Sequence, residues 1–203
     1  MPIFRRVLLS LSLFLIASCI ESSNPVTDPA LSTVDKNLVG VWKAKSDNGD
    51  VIYLHLGLPQ GKLAEHFLQA MQVNHDAGHG LSNRGTDWRL VFISKLGSLR
   101  YFNSVVLKPE EIRSLETTGW KPTPDTKYDI FRYDFSGNTM KVYVPEQNVL
   151  KKAIASHALR GEDQKLGGVK ITDSSANLAR FLEKENKNLF PTSKPPMIFN
   201  RVK

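Results

Sequence analysis

The sequence predicts a mainly β domain: an antiparallel barrel or strongly curled sheet with two helices in its C-terminal half. Three observations predict it. From residue 38 onward, short runs rich in Val, Ile, Tyr and Phe alternate with turn residues, as in hairpin-linked strands. After residue 147 the apolar residues recur at helical spacing. About eight antiparallel strands in one domain favour closure into a barrel, because closure removes the exposed edges of a sheet.

The first residues are typical of a secretory signal that ends at a lipid-attachment site. Arg5 and Arg6 precede an apolar run from Val7 to Ser18. That run is too short to cross a bilayer, because a spanning helix needs about twenty residues. Ile16-Ala17-Ser18 leads directly into Cys19, the only cysteine of the chain. This pattern resembles the lipobox of bacterial lipoproteins, whose cysteine thiol takes a diacylglycerol group.

The resemblance implies that residues 1–18 are a signal peptide that is removed and that Cys19 carries the lipid. Two or three acyl chains make a lasting anchor, whereas one binds only marginally. Ile20, rather than an aspartate, follows the cysteine. By resemblance to the known sorting pattern, this implies delivery to the outer membrane with the domain facing the periplasm. The alternative is an ordinary signal peptide that leaves Cys19 as a free thiol.

Composition divides the mature chain into two parts. Residues 19–36 are rich in Ser, Thr, Pro and acids and predict a flexible tether, and residues 37–203 are long enough for one domain with a real core. The net charge of +7 falls to about +5 without Arg5 and Arg6. The basic residues are scattered, with Lys151-Lys152 as the longest local group, which argues against a nucleic-acid surface. A lone cysteine excludes an intramolecular disulfide and a thiolate metal site.

The strands follow in order along the chain. They are expected at Leu38–Ala44, Val51–Leu56, Phe67–Asn74, Trp88–Lys95, Leu99–Leu107, Tyr128–Phe135, Thr139–Val144, Val169–Thr172 and Met197–Val202. Three hairpin turns are expected at Asp47-Asn48-Gly49-Asp50, Leu96-Gly97-Ser98 and Ser136-Gly137-Asn138. Large side chains that point into the barrel are expected at Tyr53, Phe92, Tyr101, Phe131 and Tyr143.

The two helices are expected near the C-terminus. Gln147–Leu159 carries apolar residues at helical spacing, and Gly161 can end that helix. Asp173-Ser174 is a natural N-cap for a second helix, which places Leu178, Phe181 and Leu182 on one face.

Gly40-Val41-Trp42 on the first of these strands is similar to the Gly-X-Trp element of lipocalins and their calycin relatives. In those families an arginine on a late strand lies across the tryptophan, and Arg201 stands where that arginine is expected. The mature chain as a whole also resembles a group of uncharacterised proteobacterial outer-membrane lipoproteins with a lipocalin-like β-barrel domain. The alternative is that Trp42 is an ordinary core aromatic and Arg201 a surface charge.

The sequence offers little that predicts catalysis or a cofactor. His75 and His79, with His66 upstream, are weak candidates for a metal site, because the glycines around them indicate a loop that fixes no geometry. No nucleophile elbow and no phosphate-binding loop is present. We therefore expect no catalytic residues and no cofactor. Trp120-Lys121-Pro122-Thr123-Pro124 predicts an exposed loop, either a rim contact or a plug over one barrel end.

Two roles remain open for the domain. An eight-stranded barrel can hold one apolar small molecule or lipid in its interior, which would make the protein a binding module. A barrel packed solid would instead serve as an envelope scaffold that docks a protein partner through its loops. The two differ in whether the barrel contains a cavity.

Overall fold

A computed structural model describes residues 20–46, 49–76, 80–81, 87–164 and 168–203. Within these residues, eight antiparallel strands close into a barrel, which confirms the predicted fold class. In order around the barrel they are β2 (Gly40–Lys45), β3 (Val51–Gly57), β4 (Leu68–Asp76), β6 (Asp87–Leu96), β7 (Leu99–Val106), β8 (Asp129–Ser136), β9 (Thr139–Tyr143) and β12 (Met197–Arg201). Strand β12 closes the ring by pairing with β2 and β9.

The remaining elements lie around this barrel. Strand β5 (Gly80–Leu81) extends the sheet beside β4. A separate three-stranded sheet contains β1 (Ile20–Ser22), β11 (Val169–Ile171) and β10 (Gly161–Asp163). The described α-helices are α1 (Pro109–Thr118), α2 (Gln147–Ala155) and α3 (Ser175–Leu189), beside three short 3-10 helices. Helices α2 and α3 match the two predicted helices, and the Ser174 side chain caps α3 by accepting from Asn177 N–H.

The barrel interior is filled by apolar side chains over most of its length. Alternate residues of each strand point inward, as the pleat of a strand requires. Phe102 and Tyr133 stack in the centre, with ring centroids 3.9 Å apart. Buried residues of this core include Trp42, Ile52, Leu54, Leu68, Val91, Ile93, Phe131, Met140 and Phe199.

Two further apolar clusters cover the outside of the barrel. One lies under α1 and contains Phe92, and the other lies under α2 and α3 and contains Tyr101, with Tyr143 packed against it. The expectation that Phe92, Tyr101 and Tyr143 point inward is therefore wrong. Of the five predicted aromatics, Phe131 belongs to the inner core, whereas Tyr53 lies half-buried with Lys43 Nζ 5.7 Å from its ring centroid. Helices on the outer face require apolar residues on both faces of these strands, so alternation alone does not distinguish them.

The segment 20–36 differs from the flexible tether predicted for residues 19–36. Ile20 pairs with Val169 in a parallel register, and Ser22 N–H donates to Tyr128 O at 2.9 Å. Val26 is buried, and its N–H donates to Asn103 Oδ1 at 2.8 Å. The apolar residues spaced along this Ser- and Pro-rich stretch bury themselves against the barrel, because that burial offsets the entropy lost on ordering the chain.

The strands of the three predicted hairpins pair with each other, whereas three short strands were not predicted. Strands β2 and β3 pair as the first predicted hairpin requires, although residues 47–48 of its turn lie outside the described residues. Gly97 and Gly137 sit in the two other hairpins with φ of 57° and 58°. The short strands β1, β5 and β10 carry no sequence pattern strong enough to predict them, because they contain two or three residues each.

Candidate functional site

One end of the barrel is closed by the residues of the Gly-X-Trp element. The Arg201 guanidinium carbon lies 4.3 Å from the ring centroid of Trp42, which is fully buried. Arg201 Nη1 donates to Val39 O at 2.6 Å, and Nη2 donates to Asn37 O. Gly40 lies beneath the guanidinium, where an added Cβ would meet Nη1 at 2.5 Å. The structure thus brings all three residues together.

This arrangement closes the barrel end instead of forming a binding site. Trp42 Nε1–H donates to Leu38 O at 2.8 Å, so the indole has a polar partner although it is buried. Leu38 is itself fully buried, and Val34 and Val39 pack against the same core. The chain from Val34 to Val39 therefore covers this end, which we call the closed end.

The opposite end carries a half-open cleft of about 790 Å³. It lies between the start of β6, the end of β7, the start of β8, helix α1, and the loop that connects α1 to β8. Its volume falls within the range of about 300–1,000 Å³ that is usual for small-molecule sites. We call this end the cleft end.

A buried ion pair lies at the floor of the cleft. Arg89 shares the inward face of β6 with Val91 and Ile93, and its Nη1 lies 2.5 Å from Asp129 Oδ2. The side chains are 4% and 13% exposed. Arg89 Nη1 also donates to Ser104 Oγ at 3.2 Å. These contacts compensate for the removal of two charges from water, and they place a polar group where the apolar barrel core ends.

One part of the cleft wall is apolar, beside the polar residues Glu111, Ser114 and Thr126. Val106, Leu107, Leu115 and Trp120 line this apolar part. Val106 is 56% exposed, although it follows the buried Val105 on β7. The indole of Trp120 packs against Phe67 with ring centroids 5.5 Å apart, which fixes the loop that follows α1. An apolar wall beside a charged floor suits an amphipathic molecule.

The rim is formed by residues from distant parts of the sequence. Glu21 on β1 lines the cleft, and its Oε2 lies 2.8 Å from Lys127 Nζ. The hydrogen bond to Glu21 and the negative charge of Glu21 raise the pKa of Lys127. Lys121 and Thr123 are exposed on the same rim. In the loop Trp120-Lys121-Pro122-Thr123-Pro124, Lys121 and Thr123 lie on the rim, whereas the half-buried Trp120 packs against Phe67.

The other predicted site residues stand apart from the cleft. Cys19 and His79 lie outside the described residues. His75 is exposed near the end of β4, and His66 Nδ1 lies 2.8 Å from Ser32 O. In the described part of the chain, no group of three or more His, Cys, Asp or Glu side chains is arranged to hold a metal ion.

Sequence reasoning missed Arg89 and Asp129. A signal was present, because each charged residue alternates with apolar residues of the inner core, Arg89 with Val91 and Asp129 with Phe131. Without the barrel register, however, the sequence does not indicate that two residues forty positions apart form an ion pair. The same holds for Glu21, which was expected to belong to a tether.

Comparison of this chain with protein-family models, with curated proteins and with solved structures finds no match. None of the helices described here is both long enough and apolar enough to span a bilayer.

Proposed function

We propose that this protein is a bacterial lipoprotein, acylated at Cys19 and held at the periplasmic face of the outer membrane, whose barrel domain binds a small amphipathic molecule. The cleft is the observation that supports binding of an amphipathic molecule. It combines an apolar patch, formed by residues such as Leu107 and Trp120, with polar lining residues and the charged pair Arg89–Asp129 at its floor. Amphipathic ligands need both kinds of surface.

Because apolar side chains fill the barrel core, the ligand site is proposed at the cleft instead of inside the barrel. A lipocalin-like binding module would hold its ligand inside the barrel, but Phe102 and Tyr133 stack in that space. A ligand with both apolar and polar parts fits the cleft end, where the core gives way to Arg89 and Ser104. The cleft is therefore the favoured site.

Native mass spectrometry tests the binding part. The full chain would be purified from bacterial membranes in a mild detergent and measured intact and after denaturation. We expect an extra mass that disappears on unfolding. Ser114→Trp, on the α1 face that lines the cleft, should abolish it. The matched control is Thr117→Trp, which is exposed on the same helix and should retain the ligand.

An envelope scaffold is the second candidate, favoured by the packed interior of the barrel. The same measurement separates the two. A bare mass for the unmodified chain, with no uptake of offered membrane lipid, would contradict ligand binding and favour a protein partner.

The lipoprotein part has its own test. Cys19→Ser removes the only thiol and should leave the precursor uncleaved and without acyl chains. Ser18→Ala keeps a small residue before the cysteine and should be processed as usual. Mass spectrometry of the N-terminal peptide and membrane fractionation read out both variants, and normal processing of Cys19→Ser would overturn the proposal.

A further inference from the structure

The first described strand begins immediately after the proposed lipid-attachment residue. Ile20 is 5% exposed and Ser22 is 1% exposed. Ser22 and Tyr128 exchange two backbone hydrogen bonds of 2.9 and 2.8 Å, and Ser23 N–H donates to Ile171 O at 2.8 Å. No spacer therefore separates residue 19 from the folded domain.

This arrangement limits how far the domain can stand from the membrane. Consecutive Cα atoms lie about 3.8 Å apart, so Glu21 is at most about 7 Å along the chain from residue 19. The acyl chains of a lipoprotein lie in the hydrocarbon layer, which leaves the attachment residue in the head-group region. The surface around β1 must then contact the head groups.

Glu21 is also part of the cleft. Its side chain lines the cleft and pairs with Lys127 on the rim. The exposed loop residues Lys121 and Thr123 belong to the same rim. The short connection therefore brings the cleft, and not only β1, close to the membrane.

We propose that the anchor holds the domain directly against the bilayer in one orientation, with the cleft rim at the phospholipid head-group layer. The proposal rests on acylation of Cys19, as stated under the proposed function. A ligand of the cleft would then be drawn from the lipids of that leaflet. Lys43 on β2 lies on the wall of the barrel away from β8 and should face the aqueous side.

Fluorescence quenching tests this orientation. The only native thiol is consumed by the lipid, so a second cysteine is the only group that a thiol-reactive dye can label. Lys121→Cys places the dye on the cleft rim, and Lys43→Cys is the matched control, since both replace an exposed lysine. The full lipidated chain would be reconstituted in phosphatidylethanolamine–phosphatidylglycerol vesicles that carry a spin label on the head group.

We expect at least twofold stronger quenching at position 121 than at position 43. A fifteen-residue Gly-Ser spacer between Cys19 and Ile20 has a root-mean-square reach of about 20 Å and should remove most of that difference. Equal quenching at both positions in a membrane-bound chain without the spacer would overturn this inference alone. A chain that stays soluble would overturn the lipoprotein proposal and the orientation with it.

Discussion

The guanidinium of Arg201 lies over the indole of Trp42, 4.3 Å from its ring centroid, while two of its nitrogens donate to the carbonyls of Val39 and Asn37. This contact joins the last barrel strand to the first. Trp42 and Arg201 are also direct partners in the β2–β12 register. The pair therefore seals the barrel where its two chain ends meet.

Arg201→Met should lower the free energy of unfolding by roughly 2–3 kcal/mol, because it removes the cation–π contact and both hydrogen bonds to backbone carbonyls. Urea unfolding followed by tryptophan fluorescence measures the loss. Arg113→Met, exposed on α1, is the control and should change stability by less than about 0.5 kcal/mol. Equal effects of the two variants would contradict a structural role for Arg201.

Gly40→Ala should also destabilise the domain, because φ at Gly40 is +142° and the new Cβ would meet Arg201 Nη1 at 2.5 Å. Gly57→Ala is the matched control, since nothing lies within 4 Å of its added Cβ. We expect part of the Gly40→Ala cost to vanish in an Arg201→Met background, where the clashing atom is absent. If the stability losses of Gly40→Ala and Arg201→Met simply add in the double variant, backbone strain alone accounts for the Gly40→Ala cost.

Arg89→Met should cost roughly 3–5 kcal/mol, because it leaves the Asp129 carboxylate buried without its cation. Adding Asp129→Leu should recover a large part of that loss. The comparison is Lys127→Met, which breaks the exposed Glu21 pair and should cost less than about 1 kcal/mol. Chemical denaturation of the native chain, Arg89→Met, the double variant and Lys127→Met measures these losses of stability. A loss for Arg89→Met as small as that for Lys127→Met would contradict a stabilising buried pair.

Asp173→Asn should lower stability at pH 7, with the difference from the native chain shrinking as the pH falls below about 4. Burial raises the pKa of this carboxyl, but hydrogen bonds from Arg160 N–H, the Asn177 amide and Ser174 N–H outweigh it and hold the pKa below its usual 3.8. A lowered folded pKa stabilises the fold above the unfolded value, and this contribution is lost as the pH falls through the folded value.

Stability measured between pH 2 and 8 tests the Asp173 prediction. Asp125→Asn is the control, since that side chain is exposed on the cleft rim. If the loss of stability in Asp173→Asn does not change with pH, the proposed role of the ionised carboxylate is contradicted.

Tyr101 should remain protonated well above the usual tyrosine range. Burial raises its pKa to about 12, although the charge of Arg132 opposes this shift. Any stability that depends on the neutral phenol is present below pH 10 and is lost as the pH rises toward the folded value. Absorbance titration should show no difference between the native chain and Tyr101→Phe until the pH approaches 12. In the unfolded chains, the absorbance change near pH 10 should be smaller for Tyr101→Phe, because one titrating phenol is absent.

The sequence determined the strands and helices whose signals are local. Hairpin turns separate the paired strands β6–β7 and β8–β9, and Ser174 is the predicted cap of α3. These features depend on residues within a few positions of one another. The Gly-X-Trp motif also predicted that Arg201 and Trp42 belong together, but through resemblance to known barrels and not through any local rule.

The tertiary structure alone decided which face of each strand points inward and where the cleft lies. Phe92 lies in a continuous apolar run that does not reveal which face points inward; helix α1 covers Phe92 on the outside, while the barrel encloses Phe131. Arg89 and Asp129 meet only because barrel closure fixes the register of β6, β7 and β8. Composition likewise predicted a tether at Ile20, yet β11 offers that residue a partner strand from the other end of the chain. A sequence reports what a residue and its neighbours prefer, whereas burial depends on which distant surfaces are brought against them.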